Sequence, residues 1–249
     1  MKSYIIGIAG AKNSGKDTVA SMINYIFAVG ITKANYRDWL TKQPIYDRQH
    51  KDRVKHFADP LKETLSKLYN IDLTYFYDRK YKDEFWYCIN NKKFVDSNYL
   101  MRDSKNSVPI DILDLQENDL SYYVSKYKDK NIYIKLRTLL QYFGTDICRK
   151  YLDEDFWIKR AIDEIYEKAK ARRLCIIPDV RFANEANSIK FDNDSLYGGL
   201  IKINRNNNDK DYHSSEIFDF DVNYVIENDE TKLVLFYKVL EICQEIITK

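Results

Sequence analysis

The sequence predicts an α/β fold of three layers, with helices on both faces of a parallel central sheet and an inserted region rich in Tyr, Lys and Asn. Three observations carry that expectation. The spacing Gly10-x-x-x-x-Gly15-Lys16 stands between a short apolar run, Ser3–Ala9, and a helical stripe of Val19, Met22, Ile23, Ile26 and Phe27. A second apolar run, Leu174–Ile177, has the composition of a central parallel strand and ends in Pro178-Asp179. Further strand-like runs, Leu200–Ile203 and Tyr224–Ile226, precede a closing amphipathic stripe of Leu233, Phe236, Leu240, Cys243 and Ile247.

The first of these is a phosphate-binding loop in the context it requires, a strand-to-helix turn. Small residues let backbone N–H groups approach phosphate oxygens, and the helix N-terminus adds partial positive charge. Lys16 supplies a full charge to the outer phosphates. Asp17 stands where the common motif has Ser or Thr, with Thr18 next. Asp17 either holds Mg²⁺ directly or through water, or caps the helix while Thr18 provides the metal's oxygen.

At 249 residues and 45% apolar content, the chain has enough material for one large domain with insertions or two small ones. A net charge of +2 gives no electrostatic case for nucleic acid. No apolar run reaches the length of a membrane span, and the N-terminal one is consumed by the loop strand. Cys88, Cys148, Cys175 and Cys243 include no CxxC pair, which points to reduced, mostly buried thiols. His50, His56 and His213 have no ligand partners at useful spacing, so no zinc site is expected. The protein is expected to be soluble and to work in the cytoplasm of its host cell.

Between these landmarks the pattern is uneven. Val29–Asp52 is polar with no clean period. Arg53–Ala58 reads as a strand running into Asp59-Pro60, where Pro60 suits a first helical turn and Leu61, Leu65 and Leu68 continue the stripe. Lys62 on that helix either approaches a bound phosphate or is solvated. From about residue 75 to 131 no long period is visible, and the stretch reads as an inserted lid or substrate-binding region. Its charge cluster Asp78–Asp83 is either a solvated face or a positive clamp. Leu136, Leu139, Leu140 and Phe143 form a stripe that Gly144 is expected to end as a C-cap. Thr145 and Asp146 are then either an N-cap or substrate ligands. A further helix is expected from near Asp155 to Arg172-Arg173, and His213–Glu216 reads as a short helix or turn.

Together these blocks resemble the deoxynucleoside monophosphate kinases of tailed bacteriophages, within the P-loop nucleoside monophosphate kinase group. The resemblance rests on Gly10–Thr18, Phe57–Glu63, Leu140–Asp146, Phe156-Trp157, Pro178–Arg181 with Glu185, and His213–Glu216, in family order. The Gly-Lys-Asp-Thr version of the loop is narrower than the general motif, so Asp17 supports the match.

The resemblance implies a single three-layer P-loop kinase domain with the insertion at about 75–131. The activity it implies is transfer of the γ-phosphoryl group of ATP to a dNMP, with Mg²⁺, in a protein that is often a homodimer. By the same resemblance Ser14, Gly15, Lys16, Asp17, Thr18 and Arg205 bind ATP, with Asp17 and Thr18 as Mg²⁺ contacts. Lys12, Asn13, Lys62, Arg79, Lys80, Arg137, Gly144, Thr145, Trp157, Asp179, Arg181 and Glu185 serve the dNMP, and Lys16, Asp17 and Arg181 are the catalytic set. Trp157 is equally a stacking face for a base or a core aromatic. Other readings are a phosphomevalonate or dephospho-coenzyme A type kinase on the same core, and a P-loop regulator that is not a kinase.

Overall fold

Strand β1 (Ser3–Gly10) is buried almost throughout, and its side chains alternate between two apolar layers. The structure, a computed structural model, describes residues 2–206 and 220–248. The chain divides into two units, residues 1–57 with 158–249, and Ala58–Trp157 between them. After β1 come α1 (Lys16–Val29) and α2 (Tyr36–Gln49), the latter capped by the Asn35 side chain, which accepts from Arg37 N and Asp38 N.

The inserted unit has its own mixed sheet. Its elements are α3 (Asp59–Tyr69), α4 (Arg79–Asp83), β2 (Trp86–Cys88), β3 (Phe94–Val95), α5 (Ser97–Arg102), β4 (Ser107–Ile110), α6 (Ile112–Glu117), α7 (Leu120–Lys126), β5 (Asn131–Ile134) and α8 (Leu136–Gln141). A π-helix, Tyr142–Leu152, follows directly. The strand order is β3-β2-β5-β4, with β4 and β5 parallel and the other pairs antiparallel. Leu61 and Leu65 of α3, Phe76, Tyr87, Ile132, Ile134, Leu136 and Leu139 close this unit's core.

The chain then returns through α9 (Phe156–Arg172), β6 (Leu174–Ile177), α10 (Ala183–Ile189), β7 (Phe191–Asp192), β8 (Leu196–Asn204), β9 (Tyr224–Glu227) and α11 (Lys232–Thr248). The first unit's sheet runs β6-β1-β8, with β7 and β9 both paired to β8; every pairing is parallel except β7 with β8. Ile6, Ile8, Leu174, Ile176, Ile201 and Ile203 face α1, α2 and α11, while Ile5, Ala9, Cys175, Ile177 and Leu200 face α9 and α10. Helices on both faces of a largely parallel sheet are therefore the observed architecture. At Gly198 the backbone of α10 comes so close that a Cβ would stand 1.6 Å from the Ile189 carbonyl oxygen.

Several expectations are corrected. Arg53–Ala58 is not a strand: Val54 makes one parallel bridge to Ile176, Lys55 N donates to Ile176 O, and Phe57 N turns to Asp179 instead. β6 lies at the end of the strand order rather than in its middle. Helices cover both its faces and Val54-Lys55 covers its outer edge, which accounts for its apolar composition. Gly144 does not end a helix. The helix widens into the π form there, and a Cβ on Gly144 would meet Leu61 Cδ2 at 2.7 Å, so its lack of a side chain serves packing. Thr145 and Asp146 therefore lie inside that helix rather than at a helix start. The polar stretch after α1 contains α2, a helix of which Trp39 alone is buried.

All four cysteines are buried and free of disulfides. No helix among the described residues is long and apolar enough to cross a membrane. The His213–Glu216 block lies outside the described residues.

Candidate functional site

Carboxyl ends of parallel strands are where open α/β sheets bind ligands, and in the first unit β1, β6, β8 and β9 each deliver a candidate there. The loop after β1 turns on two positive-φ residues, Asn13 (φ 65°) and Gly15 (φ 103°). Gly15 needs its missing side chain twice over: the backbone is left-handed, and a Cβ would sit 2.6 Å from Asn228 Nδ2. α1 then begins with no side-chain cap at Gly15, and a helix N-terminus of this kind suits an anion. Lys16 folds back along the loop and donates from Nζ to Gly10 O at 2.6 Å and Ala11 O at 2.7 Å. An ammonium held by loop carbonyls stays where phosphate oxygens would be cradled.

Two residues from other strands brace the loop. Arg205, just past β8, donates from Nη1 to Asn13 O at 3.4 Å. Asn228, just past β9, donates from its buried Nδ2 to Ser14 O at 2.7 Å. Sequence reasoning missed Asn228, whose partner Ser14 lies far away in the sequence. Ser14 is buried, and its hydroxyl has no hydrogen-bond partner among the described residues.

The donor chemistry near the loop suits a small oxygen-binding cation. Asp17 is exposed and Thr18 half-buried on the first turn of α1, offering a carboxylate and a hydroxyl. Few protein ligands are needed, since Mg²⁺ keeps waters and shares substrate phosphates. Among the described residues no group of three or more His, Cys, Asp or Glu forms a cluster of the kind that holds a metal without substrate. Asp17 also borders an open groove of about 210 Å³ with Ser21, Asn24, Asp47, Lys51 and His56.

At the end of β6, Asp179 accepts from Phe57 N at 3.3 Å, and Val180 N donates to Ile8 O at 3.3 Å, which ties the strand end to β1. Glu185, 3% exposed at the start of α10, accepts the backbone N–H of Arg181 at 2.8 Å and of Phe182 at 3.3 Å. A buried carboxylate thus fixes the turn from which the half-buried Arg181 projects. The structure places Lys12–Thr18 on the loop and the first turn of α1 with Arg205 against the loop, and Asp179 and Arg181 on a turn that Glu185 of α10 holds.

The remaining candidates belong to the inserted unit. Lys62 is buried rather than solvated. Its Nζ lies 3.1 Å from Asp59 Oδ1 and 4.1 Å from the centroid of the Tyr77 ring, whose hydroxyl also donates to Asp59. Asp78 caps α4, and Asp83 pairs with Arg137 and with Arg79, so both acids of the charge cluster have partners within the unit. Lys80 is exposed, with its Nζ 5.6 Å from the Phe85 ring centroid. Trp157 is buried in the unit's core, and its indole N–H donates to Gly144 O at 3.1 Å. That placement favours the core-aromatic alternative for Trp157, with Gly144 and half-buried Thr145 beside it in the chain's π-helix.

Comparison with known proteins identifies the family. A family model for deoxynucleotide monophosphate kinases matches residues 4–239. The chain is 24% identical over 241 residues to the deoxynucleoside-5'-monophosphate kinase of Escherichia phage T5, with 86% of this chain and 84% of that protein covered. The match takes in the loop, the turn after β6 and the whole inserted unit, and the chain belongs to the deoxynucleotide monophosphate kinase family.

Proposed function

We infer that this chain is a deoxynucleoside monophosphate kinase, transferring the γ-phosphoryl group of ATP to a dNMP to give dNDP and ADP. The family match over residues 4–239 carries the reading. The uncapped N-terminus of α1, with Lys16 folded along the loop, supports a polyphosphate as one ligand.

In this reading Ser14–Thr18 and Arg205 bind the ATP phosphates. Asp17 and Thr18 would hold Mg²⁺, which when bound offsets charge on the outer phosphates. Lys12, Asn13, Asp179, Arg181 and Glu185 serve the dNMP from the first unit, with Arg181 on its phosphate and Glu185 fixing the turn beneath it. From the inserted region at about 75–131 and its flanks, Lys62, Arg79, Lys80, Arg137, Gly144, Thr145 and Trp157 serve the same substrate. Of these, Trp157 acts by holding Gly144.

The chemistry asks little beyond this. The acceptor oxygen belongs to a phosphate already anionic at neutral pH, so no general base is required. The barrier lies in bringing two polyanions into line, which cations and fixed geometry lower. A coupled assay of ADP release over dNMPs, NMPs and non-nucleotide phosphates tests the assignment. Turnover with one or more dNMPs is expected. Turnover confined to a non-nucleotide phosphate would contradict it, as would ATP hydrolysis indifferent to every acceptor.

A further inference from the structure

We propose that Asp83 is a positioning residue for the acceptor phosphate: its carboxylate holds Arg137, with Arg79 beside it, in the orientation from which the arginines bind dNMP. The proposal rests on the reading of Arg79 and Arg137 as acceptor cations and adds a residue to it.

Arg137 lies on the first turn of α8, and its Nε and Nη2 donate to Asp83 Oδ1 at 2.5 Å and Oδ2 at 3.1 Å. A guanidinium carries five N–H groups in one rigid plane. Asp83 takes the edge formed by Nε and one Nη2 hydrogen. The opposite edge, Nη1 with the second Nη2 hydrogen, is left to face another anion, and Nη1 makes no hydrogen bond among the described residues. The Arg137 side chain is 35% exposed, so that edge is within reach of solvent and substrate. One guanidinium can therefore hold a carboxylate and a phosphate at once, with the first fixing the plane presented to the second. Arg79, one turn before Asp83 on α4, has its Nε 3.8 Å from the same carboxylate.

The carboxylate itself stands on a fixed base. α4 starts at Asp78, whose side chain accepts from Lys80 N and Tyr81 N. The Tyr81 ring packs against Tyr75 at 4.3 Å, Phe85 at 5.0 Å and Phe94 at 5.2 Å. Removing Asp83 has two opposed consequences. Less negative charge nearby favours phosphate, but at a partly exposed site that effect is small and screened. Release of a long arginine side chain into many rotamers opposes binding, and it governs the outcome because phosphate recognition needs the fork aligned.

The test is steady-state kinetics on the purified full chain for Asp83→Asn, Arg137→Ala and the double variant. Asp83→Ser supplies the same comparison should Asp83→Asn fail to fold. We expect Asp83→Asn to raise the dNMP KM about tenfold, in keeping with the cost of misplaced substrate contacts, while the ATP KM moves less than about twofold. In the Arg137→Ala background the same change should add nothing, because the two residues act as one unit. A lowered dNMP KM would make Asp83 a competitor of the phosphate and overturn the proposal. Equal rises in both KM values, or full additivity with Arg137→Ala, would reduce Asp83 to a structural ion pair and overturn it too. An impaired Arg137→Ala beside a normal Asp83→Asn sinks this proposal alone. A normal dNMP KM in Arg137→Ala removes the acceptor reading of that arginine, and Asp83 with it.

Discussion

Lys16→Ala is expected to lower kcat at saturating ATP and dNMP by at least about a hundredfold, in line with losses of single electrostatic stabilisers at reacting oxygens. The reason lies in where the ammonium is held. Its Nζ is anchored by the carbonyls of Gly10 and Ala11, inside the curve of the loop. In the proposed mechanism it there meets charge that moves onto the transferring phosphoryl group and its leaving oxygen, so its contribution would grow from ground state to transition state. Truncation should leave α1 in place, since Ala is a good helix former at that position and Val19 N still donates to Gly15 O. An unchanged far-UV circular dichroism spectrum with a collapsed kcat is the expected pair of results. A kcat within a few-fold of the parent would remove the loop from the mechanism.

Gly198→Ala is expected to destabilise the first unit by roughly 3 kcal/mol or more, beyond ordinary overpacking. The added Cβ would lie 1.6 Å from the Ile189 carbonyl oxygen, an overlap with backbone that no rotamer can relieve. Gly198 also pairs with Phe191 of β7 and Ile5 of β1, so strand and helix would have to separate together. Urea denaturation followed by circular dichroism should show the midpoint at markedly lower denaturant. A midpoint equal to the parent's would mean that α10 does not lie against the sheet at this glycine.

The parts of the fold legible in sequence are those where one period dominates. β1, α1, β6, β8, β9 and α11 pack into the layers of a largely parallel sheet, and their apolar residues recur at strand or helix spacing. α2 was illegible because burial of Trp39 alone leaves no stripe, and Pro44 lies inside the helix. The second sheet was illegible because β2 and β3 are three and two residues long, too short for an alternation to register. Arg53–Ala58 has a strand's composition, yet its backbone donors divide between Ile176 and the Asp179 side chain. Gly144 looked like a helix stop because glycine usually serves there; in this chain it makes room for Leu61.

The candidate site shows the same division. The loop could be read from spacing, and Arg181 from its place two residues beyond a strand's acid. Asn228 and Asp83 could not, since each acts on a partner far away in sequence, Ser14 and Arg137 respectively. Lys62 carried two readings until its burial against Asp59 and Tyr77 removed the solvated one.

The reading offered for this chain separates two phosphate sites, the loop for the donor and the turn after β6 for the acceptor. Arg181→Lys probes that separation directly. The backbone of Arg181 is fixed by Glu185, and its guanidinium can bridge a phosphate with paired hydrogen bonds that an ammonium cannot copy. The measurement is the dissociation constant of ATP and of dNMP, each taken separately by isothermal titration calorimetry on the purified variant. A large loss of dNMP affinity with ATP affinity essentially unchanged is the expected result. Equal weakening of both nucleotides, or weakening of ATP alone, would place Arg181 with the donor and contradict the assignment.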